Sequence, residues 1–551
     1  MRAPVLLALA LGLALAACEP GGGSADIAIY GSVWTGDTSR AEAGALAIRG
    51  DSVLAVGDSA EIAAHVGPRT RVIVAGNGLV LPGFADDHVH FSDGGFQLGF
   101  VDLRDATSPE EFVRRIRAYA AKLKPGEWIL GGTWDHERWP GAPLPRRQWI
   151  DSVTPDNPVF IQRLDGHMGL ANSRALMLAG LSSTSREIAG GTIVRDATGA
   201  LTGVLKDEAM GPVFAVVPAP RPDQVDSALS KAMHHANSLG ITAVSAVSAS
   251  WAEVAAFRRA RQAGTQTVRV SLYPSLADWQ RVADTMTAQG AGDDWIRLAG
   301  VKGFVDGSLG STTALFFDPY LDEPTQSGLL VTPQDSLRRW IGAADSAGLQ
   351  LIVHAIGDRA NQLLLDIYDS VATSHGPRDR RFRIEHAQHL TPADITRIAA
   401  LGVLPSMQPY HAADDGRWAA KRIRPPQIAG TYAFRSLLDA GATLMFGSDW
   451  VVAPLDPMLG IWAAVTRHTI DGRNPGGWVP EQKISLDEAL RAYTSANARG
   501  VFAEKRRGML RPGALADVVI LDRDIRAVPA DSITAARAMF TVVGGKVVFE
   551  R

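Results

Sequence analysis

Apolar and polar positions divide the chain into two kinds of segment. Near both ends the pattern is short and strand-like. Stretches 27–31, 44–51 and 53–57 read as a meander turning at Gly and Asp. Stretch 516–521 reads as a strand, and 538–549 as a hairpin folded at Gly544-Gly545. Segments 25–80 and 506–551 are therefore expected to pack as one small β-sandwich built from both chain ends. The alternative is two unrelated β extensions. Across 81–505, apolar runs alternate with amphipathic ones. Leu79-Val80-Leu81, ended by Pro82-Gly83, is taken as the first strand of this region. Seven more follow at 243–246, 268–273, 298–305, 349–354, 382–386, 403–407 and 443–447, with helices such as 336–347, 359–372 and 433–440 between them. Eight strands with crossover helices predict an α/β fold, a (β/α)8 TIM-like barrel. A doubly wound open sheet competes, but it calls for a Gly-rich turn after its first strand, and none stands there. Stretch 127–217 is too long for one βα unit. It is read as an insertion after barrel strand 1, capping the mouth.

The composition changes this picture little. The 551 residues are 46% hydrophobic and 21% charged with a net charge of -3, so no basic face for nucleic acid is expected. The N-terminus adds more. Arg2, the apolar run 5–17 and Leu15-Ala16-Ala17-Cys18 look like a bacterial signal peptide, 1–18, with a lipobox. Residues 19–24 would then form a tether. The reading places the protein in the cell envelope facing the periplasm, lipid-anchored at Cys18, with Glu19 favouring the outer membrane over the inner. The competing reading is an ordinary secretory signal with a chance cysteine. Cys18 is the sole cysteine, so the mature domain has neither a disulfide nor a thiolate metal ligand.

The chemistry begins with His88 and His90. At i and i+2 in a strand, both imidazoles share one face, and the strand's C-terminal end is where barrel active sites form. Alone, this pair is as well explained by chance. His354, His386 and Asp449, however, each stand at the predicted C-terminal end of another strand. Imidazoles with a carboxylate suit zinc and related metals. Lys302 lies within an apolar strand, where a lysine is costly unless paired or neutralised. It either snorkels to the rim or is carboxylated to an anionic ligand.

These residues, in this order, resemble the amidohydrolase superfamily. The wording Pro82-Gly83-Phe84-Ala85-Asp86-Asp87-His88-Val89-His90, Lys302-Gly303-Phe304-Val305-Asp306-Gly307-Ser308, Val353-His354-Ala355-Ile356-Gly357-Asp358, Glu385-His386-Ala387-Gln388 and Gly447-Ser448-Asp449-Trp450 is similar to the branch containing N-substituted formamide deformylases. Asp165-Gly166-His167, 171–176 and Ser406-Met407-Gln408-Pro409 fit that branch too. The resemblance implies one or two divalent metal ions, zinc foremost. His88, His90 and Asp449 would hold one, His354 and His386 the second, with carboxylated Lys302 as the bridge. A single-metal version is implied if Lys302 is unmodified. It further implies metal-hydroxide attack on a non-peptide amide or formamide C–N bond of a small molecule, Asp449 serving as proton shuttle. An esterase, lactonase or phosphoesterase on the same centre, and a non-catalytic envelope lipoprotein, are the alternatives. His167, Asp306, His411 and Trp450 are candidate substrate-binding residues. Asp306 either shares the Lys302 face or caps the turn at 307–310, the second being favoured. His136 is a pocket or surface residue, His234 and His235 structural, and Trp134 and Trp139, with Trp450, hints of an apolar substrate. Substrate and oligomeric state stay open.

Overall fold

The structure is a computed structural model that describes residues 24–551. The expected signal segment, Cys18 and all of the tether but Ser24 lie outside the described residues. No helix among those described is long and apolar enough to cross a membrane.

The two ends of the chain do meet. Among the described residues they build one seven-stranded sheet, in the order Lys546–Glu550, Ala538–Val543, Val518–Leu521, Arg71–Pro82, Ile27–Trp34, Glu42–Arg49, Ser52–Gly57. Arg71–Pro82 is the joint: it runs parallel to Ile27–Trp34 and antiparallel to Val518–Leu521. Period-2 alternation puts Ile27, Ile29, Leu46, Ile48, Val518 and Ile520 into one buried cluster. Each such side chain contributes about 1.5–3 kcal/mol when fully buried.

This corrects the expected start of the barrel. Leu79-Val80-Leu81 belongs to the joint strand of the terminal sheet, and Pro82-Gly83 is the crossing from that sheet to the next. All three residues are buried on both faces, so periodicity could not show which sheet they serve. At the crossing the Gly83 N–H donates to the Asp517 carbonyl. A Cβ at 83 would lie 2.2 Å from Thr242 Cγ2, so the close approach requires glycine.

The strands of the central region are β1 (Phe84–Val89), β2 (Ile241–Val247), β3 (Arg269–Tyr273), β4 (Gly300–Phe304), β5 (Gln350–Ala355), β6 (Arg383–His386), β7 (Leu404–Met407) and β8 (Met445–Phe446). They form an α/β arrangement of two parallel arcs, β1–β2–β3 continuing to Ile296–Leu298, and β4–β5–β6–β7–β8. The stretch expected as one strand at 298–305 is broken at Ala299, its first part pairing with β3 and its second with β5. Parallel bridges Ser275–Lys302 and Val89–Trp450 connect the arcs. Helices Gln334–Ser346, Asp358–His375 and Phe434–Asp439 stand where the sequence predicts them. Asp358–His375 turns Leu364, Leu365, Tyr368 and Val371 inward, the spacing of a helix packed on a sheet.

The insertion begins earlier than expected. Its six-stranded sheet contains Val101–Asp102, Gly131–Trp134, Phe160–Arg163, Met168–Ala171, Gly191–Arg195 and Leu201–Asp207. Val101–Asp102 is too short to register as a pattern. Helix Pro109–Ala120, capped by Ser108, has the look of an ordinary crossover helix.

Candidate metal centre

The C-terminal ends of β1, β6 and β8 bring three donors together. Ligand atoms of His88, His386 and Asp449 all lie within 4.8 Å of one another, and all three residues are buried. His88 is the penultimate residue of β1, and His386 the last of β6. Asp449 follows β8 by three residues. Regular alternation would put His386 on the face opposite Glu385. A positive φ of 74° at His386 turns the backbone there, and Asp449 at φ 57° does likewise. Such non-glycine conformations cost about 1–3 kcal/mol each and persist where the surroundings enforce them.

Each imidazole is aimed by a partner on its Nδ1. The His88 Nδ1 bonds to Glu385 Oε2. Glu385 in turn takes Arg383 Nε at 2.8 Å and the Ser406 hydroxyl at 2.7 Å. The His386 Nδ1 lies 2.7 Å from Gln408 Oε1. The Nε2 edges remain for the centre. His88 Nε2 is 3.5 Å from Asp449 Oδ1 and 3.4 Å from Lys302 Nζ, and His90 Nε2 is 3.3 Å from the same Asp449 oxygen.

The electrostatics suit a cation. Burial, then the neighbouring Lys302, pushes His88 down to about 4. Burial and the adjacent imidazoles hold His386 and His354 well below the usual histidine range, so these rings are neutral at pH 7. Burial opposes ionisation of Asp449, but His88, His90 and His386 outweigh it and hold the carboxyl well below the usual range. Lys302 is pushed down to about 8 by burial. Asp449 Oδ1 is buried and, with the His90 and His88 nitrogens 3.3 and 3.5 Å away, no well-directed hydrogen bond satisfies it among the described residues. An orphaned carboxylate oxygen in a dry site is costly, and a divalent cation among neutral imidazoles removes that cost. The donor set therefore fits the metal.

The other expected residues divide. The His354 ring stands edge-on to that of His386, centroids 4.6 Å apart, but its Nε2 is 3.0 Å from the Gly307 carbonyl, which keeps it out of the converging three. Its other donor is Nδ1. His167 and His411 line the same cavity, which encloses about 540 Å3, solvent included. The His411 ring stacks 6.3 Å from His386, and among the described residues its buried Nε2 has no hydrogen-bond partner. Asp306 does not cap the turn at 307–310. Its carboxylate accepts the N–H groups of Leu315, Ile356 and Gly357, tying the loop after β4 to the end of β5. Trp450 stands away from the cavity, against Phe91 and His235. Trp134 and Trp139 fill the core of the insertion, donating to the Ile161 and Ala106 carbonyls, and so carry no hint about substrate. His136 is buried behind Arg163, 3.4 Å from its Nε. His234 and His235 sit on helix Pro222–Ser238 as expected.

Sequence reasoning missed the supports Arg383, Glu385, Ser406 and Gln408. One signal was available: Arg383 and Glu385 at i and i+2 in an otherwise apolar strand share a face, which for opposite charges means a buried pair.

Known proteins resemble the chain along nearly its whole length. The model of the amidohydrolase family matches residues 71–549. The protein LONG AFTER FAR-RED 3 of Arabidopsis thaliana is 39% identical over 540 residues, 96% of this chain and 92% of its own length. The N-substituted formamide deformylase of Arthrobacter pascens is 27% identical over 549 residues, covering 95% and 98%. An uncharacterised metal-dependent hydrolase from Pyrococcus horikoshii OT3, a crystal structure, superposes with a TM-score of 0.74 at 28% identity, covering 92% of this chain and 99% of that one. The chain is a hydrolase and belongs to the amidohydrolase family.

Proposed function

We propose that the protein cleaves a non-peptide amide or formamide C–N bond in a small molecule. The observation that carries the reading is the buried convergence of His88, His386 and Asp449 around an unpartnered carboxylate oxygen. The likeness to an N-substituted formamide deformylase supports the bond type. His88, His386 and Asp449 would hold one divalent metal, zinc in our reading, with His90, His354 and Lys302 available for a second. The metal supplies a lowered pKa for water and polarisation of the substrate carbonyl.

The chain's own residues do the rest. Glu385 and Gln408 fix the two imidazoles through Nδ1 and leave Nε2 forward. Asp449, kept ionised, takes the proton of the attacking water and hands it to the leaving nitrogen. An amide anion leaves poorly, so this transfer is what makes a C–N bond cleavable. Lys302 is the proposed carbamate. Its amine is buried beside His88, and burial lowers its affinity for a proton, which frees the nitrogen to react with CO2.

In the same reading the two strand arcs are one eight-stranded barrel, 84–505. The terminal sheet, 25–82 with 506–551, is the small β-domain beside it. Cys18 anchors the protein to the envelope; a Cys18→Ser variant that still partitions with membranes removes that part.

The decisive experiment is metal analysis of the purified protein together with a substrate panel of N-substituted formamides, acylated amines, carboxylic esters and phosphoesters. Amine release with bound zinc is expected. Turnover of esters alone would overturn the bond assignment.

A further inference from the structure

The insertion sheet delivers a second histidine–carboxylate pair to the centre. His167 Nδ1 lies 2.5 Å from Asp207 Oδ1. Asp207 is the last residue of strand Leu201–Asp207 and His167 immediately precedes the adjacent antiparallel strand Met168–Ala171, and the Asp207 N–H also donates to the His167 carbonyl at 3.0 Å. The His167 backbone is held as well, its N–H reaching Asp165 Oδ1 at 3.3 Å, while Asp165 Oδ2 accepts the hydroxyls of Ser308 and Ser311. Lys206 Nζ donates to the Ser311 carbonyl at 2.7 Å. The end of the insertion is thus bolted to the loop after β4.

Three features set this pair apart from packing. Asp207 takes a positive φ of 47°, unfavourable for a non-glycine residue, to bring its carboxylate to the ring. Gly307 opposite leaves room for it: a Cβ at 307 would lie 3.0 Å from Asp207 Oδ1. The ring, 16% exposed, lines the cavity 5.1 Å from His354, and among the described residues its Nε2 has no hydrogen-bond partner. Asp449, by contrast, lies beside His88 and His90.

We propose that His167 is a further catalytic residue, whose Nε2 hydrogen-bonds the scissile amide and orients it from the His354 side of the centre, and that Asp207 is its positioning residue. Asp207 accepts the Nδ1 proton, which fixes the ring's tautomer and leaves Nε2 to the substrate. The inference rests on the amide reading above.

The test uses zinc-loaded full-length protein and four variants, His167→Ala, His167→Asn, Asp207→Asn and Asp207→Glu. Zinc content and thermal midpoint are measured first. Binding of acetohydroxamate, an unhydrolysed probe with an amide-like N–H and carbonyl, follows by calorimetry, and kcat and KM are read on the amide that the wild type turns over. With zinc content at the wild-type level, His167→Ala and His167→Asn should bind the probe at least about tenfold more weakly, the scale of one lost hydrogen bond. Asp207→Asn should lower kcat more than it raises KM, and Asp207→Glu should recover part of the loss. Unchanged probe binding in a zinc-replete His167→Ala overturns the proposal. Zinc loss in both His167 variants also overturns it, by making His167 a ligand. If the wild type cleaves no amide yet the probe still distinguishes His167→Ala, the dyad stands and the amide reading falls.

Discussion

Replacing Glu385 with Gln tests the support beneath the metal site. Glu385 is fully buried and carries three contacts, with His88 Nδ1, Arg383 and the Ser406 hydroxyl. Gln can still accept from one of them through its oxygen. Its amide N–H then faces the Arg383 guanidinium, donor against donor. Arg383 is also fully buried, so its charge loses its counterion. Breaking a buried pair in this way costs about 3–5 kcal/mol. The lower end is expected here, because Arg383 keeps the Asp87 carbonyl at 2.7 Å and has the Asp87 carboxylate at 3.9 Å. The second effect is on the metal. His88 loses a charged acceptor on Nδ1, and outer-shell changes of this kind weaken metal affinity about 10- to 100-fold. Two assays follow: urea unfolding of the metal-free protein, where the midpoint should fall, and zinc affinity by competition with a chelator. A variant that keeps its unfolding midpoint and binds zinc within threefold of wild type would refute the argument that Glu385 supports the site.

Asp449→Asn should fold normally but lose about 10²- to 10⁴-fold in kcat, the usual range for a positioned proton carrier, as measured by amine release. Lys302 reacts with CO2 only as the free amine, and burial brings its deprotonation down to about 8, so at a constant concentration of dissolved CO2 zinc-dependent reactivation of metal-free protein should quicken as pH rises from 7 to 9. Reactivation that ignores dissolved CO2, or a Lys302→Ala variant with two metals and full activity, removes the carbamate. Gly307→Ala should destabilise by about 1–3 kcal/mol, because the new methyl would stand 2.0 Å from Thr313 Oγ1; thermal unfolding reads it directly. Asp306→Asn should destabilise by about 1–3 kcal/mol, because one amide oxygen cannot serve three backbone N–H donors, and urea unfolding checks it.

The strand positions of the central region were legible because parallel strands buried on both faces are continuous apolar runs, and the helices because their inward stripe has a period of 3.6. The candidate ligands were legible for a related reason. A histidine, lysine or aspartate at the end of an apolar run has no cheap place to go unless something pairs with it, and His88, Lys302, His386 and Asp449 all stood out on that ground. The insertion's true start at Val101 was not legible, since a two-residue strand carries no period. Nor was the ownership of Leu79-Val80-Leu81, because an apolar run looks the same in either sheet.

By itself, then, the sequence determined which residues could bind a metal and that they stand at strand ends, since both follow from side-chain chemistry and local periodicity. Only the tertiary structure decided how they meet. The turn of the backbone at His386 and Asp449, the Glu385 and Gln408 acceptors behind the imidazoles, the withdrawal of Trp450 from the cavity and the arrival of His167 with Asp207 all depend on contacts between residues 22 to 361 positions apart. Local sequence carries no record of such contacts, because they are fixed by how the strands close and where the insertion docks.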